Sequence, residues 1–132
     1  IGWQPIEYEA KPQVDEWFGT DPTNTVIHWH YETVSIPTGA VRVAGSRACP
    51  NQAWAMGKHL AMQFHIEINE DKIHSWVDDI DPKWTEGLRD YYTVQNREQI
   101  LAGVEPHLTQ HQATADAIYR NWLKTTDWAA NL

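Results

Sequence analysis

Apolar and polar residues alternate over short distances in the first half of the chain. Runs of β-branched, aromatic and other apolar residues predict strands over 4–9, 25–30, 40–44, 52–56 and 59–64. Gly57-Lys58 separates the last two runs and predicts a hairpin turn, whereas 19–24 has the composition of a loop. The run 59–64 is apolar except for Gln63, which is typical of a strand covered on both faces.

The apolar period lengthens after residue 68. Residues at helical spacing predict a helix over 69–80 with a buried stripe of Ile73, Trp76, Val77 and Ile80. Asn69 suits the N-cap of this helix, and Asp81-Pro82 ends it. Two more stripes predict helices over 97–104 and 106–125, with Pro106 in the first turn of the second. The order is therefore strands first and helices afterwards.

Composition narrows the class of protein. The chain has 132 residues, 42% of them hydrophobic, which suits one packed domain or a large piece of one. A net charge of -8 argues against a nucleic-acid binder, whose affinity rests on basic residues that neutralise phosphates. No apolar run approaches the ~20 residues that span a bilayer, so we expect no membrane segment.

The cysteine count is also informative. The single Cys49 excludes an internal disulfide framework and a multi-cysteine zinc site. We interpret Cys49 as a small, buried residue and expect a reducing, cytoplasmic setting. No basic segment followed by an apolar segment indicates a signal peptide.

The segment 63–67 carries the candidate chemistry. If it is extended, His65 and Glu67 project to the same side at the end of a buried strand. A carboxylate beside an imidazole fixes its tautomer and stabilises its protonated form, as a base that activates a nucleophile requires. On spacing alone, a surface ion pair is the commoner explanation.

Two other interpretations use the same histidines or the tryptophans. His28 and His30, together with His65, are a conceivable zinc site. The eight tryptophans could stack on sugars or bases, although core packing explains their scattered positions better; they are Trp3, Trp17, Trp29, Trp54, Trp76, Trp84, Trp122 and Trp128.

Three motifs in order resemble those of a known family. The segment from Ile27 to Pro37 resembles the "HWHGDTF..LP" stretch of class I glutamine amidotransferases, especially the amidotransferase part of GMP synthase. The segment 44–54 is similar to the family's "ASS..CPNQAF", and 62–67 is similar to its "GLQFHPE". The match covers about residues 1–80.

The resemblance implies a fold and a domain division. The expected fold is an α/β, flavodoxin-like three-layer sandwich, of which only the carboxy-terminal portion is present. Residues 1–80 would be the carboxy-terminal part of the amidotransferase domain, and 81–132 a helical extension packed on the same domain. Ile1-Gly2-Trp3 matches a family "IGW" near the middle of the domain, so we expect a preceding segment to complete it.

The resemblance also implies a glutaminase mechanism and its residues. A cysteine thiolate would attack the side-chain amide of glutamine or of another γ-glutamyl substrate, with His65 as the proton carrier and Glu67 as its partner. The loop of His30, Tyr31 and Glu32 matches the place where the family holds the substrate. The released ammonia would pass to a synthase domain or subunit; no cofactor and no metal is implied.

The sequence departs from the family in three places. Tyr31-Glu32 replaces the usual Gly-Asp, and Ile66 replaces a proline between the histidine and the glutamate. The Gly-x-Cys-x-Gly turn that carries the nucleophile is missing, so we expect these residues alone to be inactive. An amidotransferase-like binding or regulatory module without catalysis is the alternative function.

Overall fold

The structure is a computed structural model. It describes residues 1–126, apart from the side chains of residues 84 and 85. The strands are β1 (Gly2–Pro5), β2 (Glu7–Tyr8), β3 (Thr25–His28), β4 (Val41–Gly45), β5 (Ala53–Met56) and β6 (His59–Met62). The helices are α1 (Lys11–Phe18), α2 (Glu70–Asp78), α3 (Pro82–Gly87), α4 (Arg97–Ala102) and α5 (Val104–Lys124).

The strands form two small sheets. β1 pairs with β3, and the second sheet has the order β2-β4-β5-β6. All four pairings in the described part of the chain are antiparallel. The predicted hairpin is confirmed: β5 and β6 are joined at Gly57, whose φ of 56° favours glycine. The prediction of a strand covered on both faces is wrong, because β6 is an edge strand without a fully buried residue.

The helices largely follow the predicted pattern. The side chain of Asn69 caps α2 by accepting a hydrogen bond from the Lys72 N–H at 2.9 Å, as predicted. The break between the last two helices lies at Gly103, where a Cβ would overlap the indole of Trp3. Helix α1 was not predicted from the sequence, although Val14, Trp17 and Phe18 have helical spacing and are buried.

Two apolar cores flank strand β3. Val26 belongs to a core that includes α1 and the four-stranded sheet, whereas Ile27 belongs to a core formed with α2 and α4. Alternate residues of a strand face opposite sides, so β3 separates these cores. The segment after β6 crosses between them, because Phe64 and Ile66 pack in the first core and Ile68 in the second.

Most described tryptophans support the core-packing interpretation. Trp3 and Trp17 are buried, and Trp29 and Trp76 pack against the second core. Trp122 is exposed. Of the predicted helical extension 81–132, residues 127–132, including Trp128, lie outside the described residues. The division of the chain near residue 80 stays a prediction.

Candidate functional site

His65 and Glu67 lie in a turn that directly follows β6. The expected extended conformation is wrong, because residues 63–64 bend and residues 66–67 form a turn. The turn nevertheless joins the two side chains, with 2.7 Å between His65 Nδ1 and Glu67 Oε1. The pair therefore forms through a turn at the end of an edge strand, where we had expected a buried strand.

Both peptide groups of His65 are anchored to neighbouring elements. Its N–H donates to the carbonyl of Ile27 on β3 at 3.0 Å. Its carbonyl lies 2.8 Å from Nε2 of His111 on α5. The neighbouring side chains of Phe64 and Ile66 are buried, so the turn is fixed by packing as well as by hydrogen bonds.

The two nitrogens of the His65 ring have different surroundings. The carboxylate of Glu67 can only accept, so Nδ1 of His65 carries a proton. Nε2 has no hydrogen bond to any described residue, and 31% of the side chain is exposed. The ring stands edge-on to Trp76 of α2, with 4.9 Å between ring centroids. This arrangement leaves a basic nitrogen available to an outside group.

A second histidine pair joins the last residue of β3 to the loop that follows it. His30 Nδ1 lies 2.8 Å from the carbonyl of Glu32, so that nitrogen donates. His30 Nε2 lies 3.3 Å from Nδ1 of His28. Burial and the nearby His30 lower the pKa of His28 to about 3, which keeps its ring neutral.

The predicted site residues line different cavities. His65 and Glu67 line an apolar cavity of about 480 Å³ beside α5. His30, Tyr31 and Glu32 line one of about 450 Å³. Tyr31 also lines a third, of about 480 Å³, whose wall includes Trp76. Trp76 contacts His65 and also Trp29, with 5.0 Å between the indole centroids. The predicted catalytic and substrate-binding groups are therefore neighbours across Trp76, and they line different ones of these three cavities.

Cys49 lies on the same side of Trp76 as the loop of His30, Tyr31 and Glu32, whose cavity it lines. Its Sγ is 3.2 Å from Thr33 Oγ1 and 3.4 Å from Gln63 Nε2. It lines the cavity of His30, and the cavity of His65 lacks it. Cys49 is only partly buried, whereas we predict a small, buried residue from the sequence. Neither partner of the thiol, Thr33 or Gln63, belongs to the His65–Glu67 pair.

The zinc interpretation finds no support in the described residues. His28 and His30 contact each other, but no three metal-ligating side chains among residues 1–126 cluster around a common point.

No helix of the described chain has the length and apolar character needed to cross a bilayer.

Known structures resemble this fold. A glutamine amidotransferase from Methylobacillus flagellatus matches with a TM-score of 0.81 at 29% identity, over 95% of this chain and 52% of that chain. The fold is that of part of a glutamine amidotransferase domain. A glutamine amidotransferase from Thermotoga maritima matches with a TM-score of 0.74 at 22% identity, over 94% of this chain and 50% of that chain.

The amidotransferase fold confirms the predicted family resemblance and fold class. This chain spans about half the length of both matched structures. No family model matches the chain, and neither does any curated protein.

Two residues of the site were not singled out for it from the sequence. Trp76 was assigned to the buried stripe of its helix, but it is only partly buried and faces His65. His111 is not among the predicted site residues, and it is wholly buried against the turn. The sequence signal for His111 is its position on the stripe of Leu108 and Ala115, four residues from Ala115 and three from Leu108.

Proposed function

We propose that this chain supplies the acid–base pair of a glutaminase or glutamine amidotransferase, with His65 as the proton carrier and Glu67 as its orienting partner. The observation that carries the proposal is the 2.7 Å hydrogen bond from His65 Nδ1 to Glu67 Oε1, together with the free Nε2. This is the orientation that a base needs to act on a nucleophile.

The nucleophile in this proposal is a cysteine from the half of the domain that this chain does not cover. Cys49 is not the nucleophile in this proposal, because its thiol lies beside Thr33 and Gln63 in the cavity of His30, whose lining does not include His65. A cysteine seated near His65 Nε2 would complete the Cys-His-Glu triad that the family resemblance implies. The partial coverage of the matched structures, about 52% and 50%, is compatible with this division.

The proposed reaction has two steps. His65 Nε2 first takes the proton of the cysteine thiol. The thiolate then attacks the side-chain amide carbon of glutamine or another γ-glutamyl amide, the C–N bond breaks, and His65 Nε2–H gives this proton to the departing ammonia or amine. Water then attacks the thioester, His65 Nε2 takes its proton, and the C–S bond breaks to release glutamate. Glu67 stabilises the imidazolium that exists whenever both ring nitrogens are protonated. Ammonia would pass to a synthase domain or partner subunit.

The substrate would enter beside the loop of His30, Tyr31 and Glu32. Tyr31 is 72% exposed, so its ring is accessible from solvent on this loop. The ring makes this loop bulkier than the glycine usual in the family, so both glutamine and another γ-glutamyl amide are candidate substrates. A non-catalytic module is the second candidate, and the Tyr31-Glu32 replacement is the observation that favours it.

His65→Ala tests the proposal in the protein that joins this chain to the rest of its domain. We expect kcat for ammonia release to fall by about 10³-fold or more, because triad members act as a unit. His59→Ala is the matched control, since His59 is an exposed histidine at the start of the same strand that leads to His65. Wild-type activity in the His65 variant contradicts the proposal; no activity in the intact protein supports the binding module.

A further inference from the structure

We propose that His111 is a positioning residue that holds the turn carrying His65 and Glu67 in its working conformation. The inference rests on the proposed function, because that proposal makes the two turn residues catalytic. His111 itself lies on α5, 46 residues away along the chain, and its ring hydrogen-bonds to the backbone of His65.

The hydrogen bond fixes the tautomer of His111. Its Nε2 lies 2.8 Å from the carbonyl oxygen of His65, and a carbonyl can only accept. Nε2 therefore carries the proton and donates. Nδ1 is buried and has no partner among the described residues, so it suits an unprotonated nitrogen better than a second N–H.

The surroundings keep His111 neutral. The residue is fully buried, and burial lowers the pKa of its imidazole because it disfavours the charged form. The ring thus remains a single-proton donor at neutral pH. A donor of this kind serves the backbone of the turn and takes no part in the proton transfers assigned to His65.

Packing on Trp3 orients the His111 ring. The two rings meet edge to face, with 5.5 Å between centroids and 87° between planes. Trp3 is fixed in turn, because its indole N–H donates to the carbonyl of Ile100 on α4 at 3.0 Å. Gly103 leaves the space that this indole occupies. A continuous set of contacts therefore runs from α4 through Trp3 and His111 to His65.

The turn has one anchor on each side. The Ile27 carbonyl on β3 accepts from the N–H of His65 at 3.0 Å, and His111 on α5 donates to its carbonyl. That carbonyl belongs to the peptide group leading into Ile66 and then Glu67. Loss of the second anchor frees this peptide group to rotate, which changes the position of the Glu67 carboxylate relative to His65 Nδ1.

Three variants of the complete protein test this role. His111→Phe keeps an aromatic ring and removes the donor, whereas His111→Gln keeps an N–H donor close to the position of Nε2. His107→Phe is the control, because His107 packs on the same Trp3 ring at 5.5 Å without a hydrogen bond to the turn. The measurements are kcat and KM for ammonia release from glutamine, and ¹⁵N NMR of the His65 ring as a report of its tautomer.

We expect His111→Phe to lower kcat by about 10- to 100-fold while KM changes less than about threefold, as a misplaced catalytic group does. We also expect the His65 spectrum to lose the signature of a ring protonated only at Nδ1. His111→Gln should restore both readings to within about threefold of wild type. If His111→Phe does not fold, His111→Met takes its place, because methionine is flexible and also lacks a donor.

The spectrum separates this inference from the proposed function. An inactive wild-type protein contradicts the proposed function. Even then, the His65 tautomer in wild type, His111→Phe and His111→Gln decides whether His111 positions the turn. The role of His111 is overturned if a folded donor-free variant keeps the wild-type His65 spectrum. It is also overturned if His111→Gln and the donor-free variant change the spectrum equally.

Discussion

Substitution of Glu67 by glutamine separates the proposed catalytic role of the His65–Glu67 pair from its structural role. The change keeps an oxygen that can accept from His65 Nδ1 but removes the negative charge 2.7 Å away. In the resting state that charge matters little, because the side chains of His65 and Glu67 are 31% and 54% exposed. Exposed pairs contribute only about 0–1 kcal/mol to stability.

The charge matters when His65 becomes an imidazolium during the reaction. Two unit charges 2.7 Å apart attract by about 1.5 kcal/mol in water and by about 6 kcal/mol at an effective dielectric constant of ~20. A partly exposed pair lies between these limits, near 3 kcal/mol. Because about 1.4 kcal/mol corresponds to a tenfold change in rate, we expect Glu67→Gln to lower kcat by about 10²-fold.

The assay is steady-state ammonia release by the complete protein, with thermal unfolding measured on the same samples. Glu70→Gln is the matched control, since Glu70 also lies near a histidine, with Oε1 3.9 Å from His74 Nε2, and is also exposed. We expect Glu67→Gln to shift Tm by less than about 4 °C. The proposed role of the Glu67 charge is refuted if kcat for Glu67→Gln stays within about twofold of wild type. It is also refuted if Glu70→Gln lowers kcat as much as Glu67→Gln does.

Two further predictions concern acid stability and Cys49. Below about pH 6.5 the unfolded chain binds a proton at His28, whereas the folded chain binds one only near the lowered pKa of about 3. The free energy of unfolding therefore decreases as the pH is lowered through this window. As the pH is lowered from 6.5 to 4, the free energy of unfolding should decrease by about 3 kcal/mol, measured by urea unfolding at each pH. His28→Gln should make this pH dependence less steep. An equally steep pH dependence in that variant contradicts the assignment of the effect to His28. Cys49→Ser should leave ammonia release by the complete protein within about twofold of wild type, whereas a loss of about 10²-fold or more makes Cys49 the nucleophile.

The elements that the sequence predicts well are those whose stabilising contacts are local. The α2 helix carries its own cap in Asn69 and its own apolar stripe in Ile73 and Val77, and it forms as predicted. The β5–β6 hairpin likewise has its turn signal in Gly57-Lys58, between two apolar runs. Both patterns lie within a few residues of the structure that they specify.

Features that depend on distant residues could not be read in this way. An apolar run such as 59–64 does not reveal whether a strand lies inside a sheet or at its edge, because that depends on which strands pair with it. His65 and Glu67 were paired correctly but by an extended geometry that the turn replaces. The contact between His111 and His65 joins residues on different elements, so no local pattern announces it.

The most direct test of the account is the distance from His65 Nε2 to the nucleophilic sulfur in an experimental structure of the complete domain. We predict that a cysteine Sγ from outside these 132 residues lies within about 3–4 Å of His65 Nε2, and that Nδ1 keeps its hydrogen bond to Glu67. A domain in which no cysteine approaches His65, or in which another base contacts the cysteine, contradicts the assignment of His65 and Glu67 to catalysis.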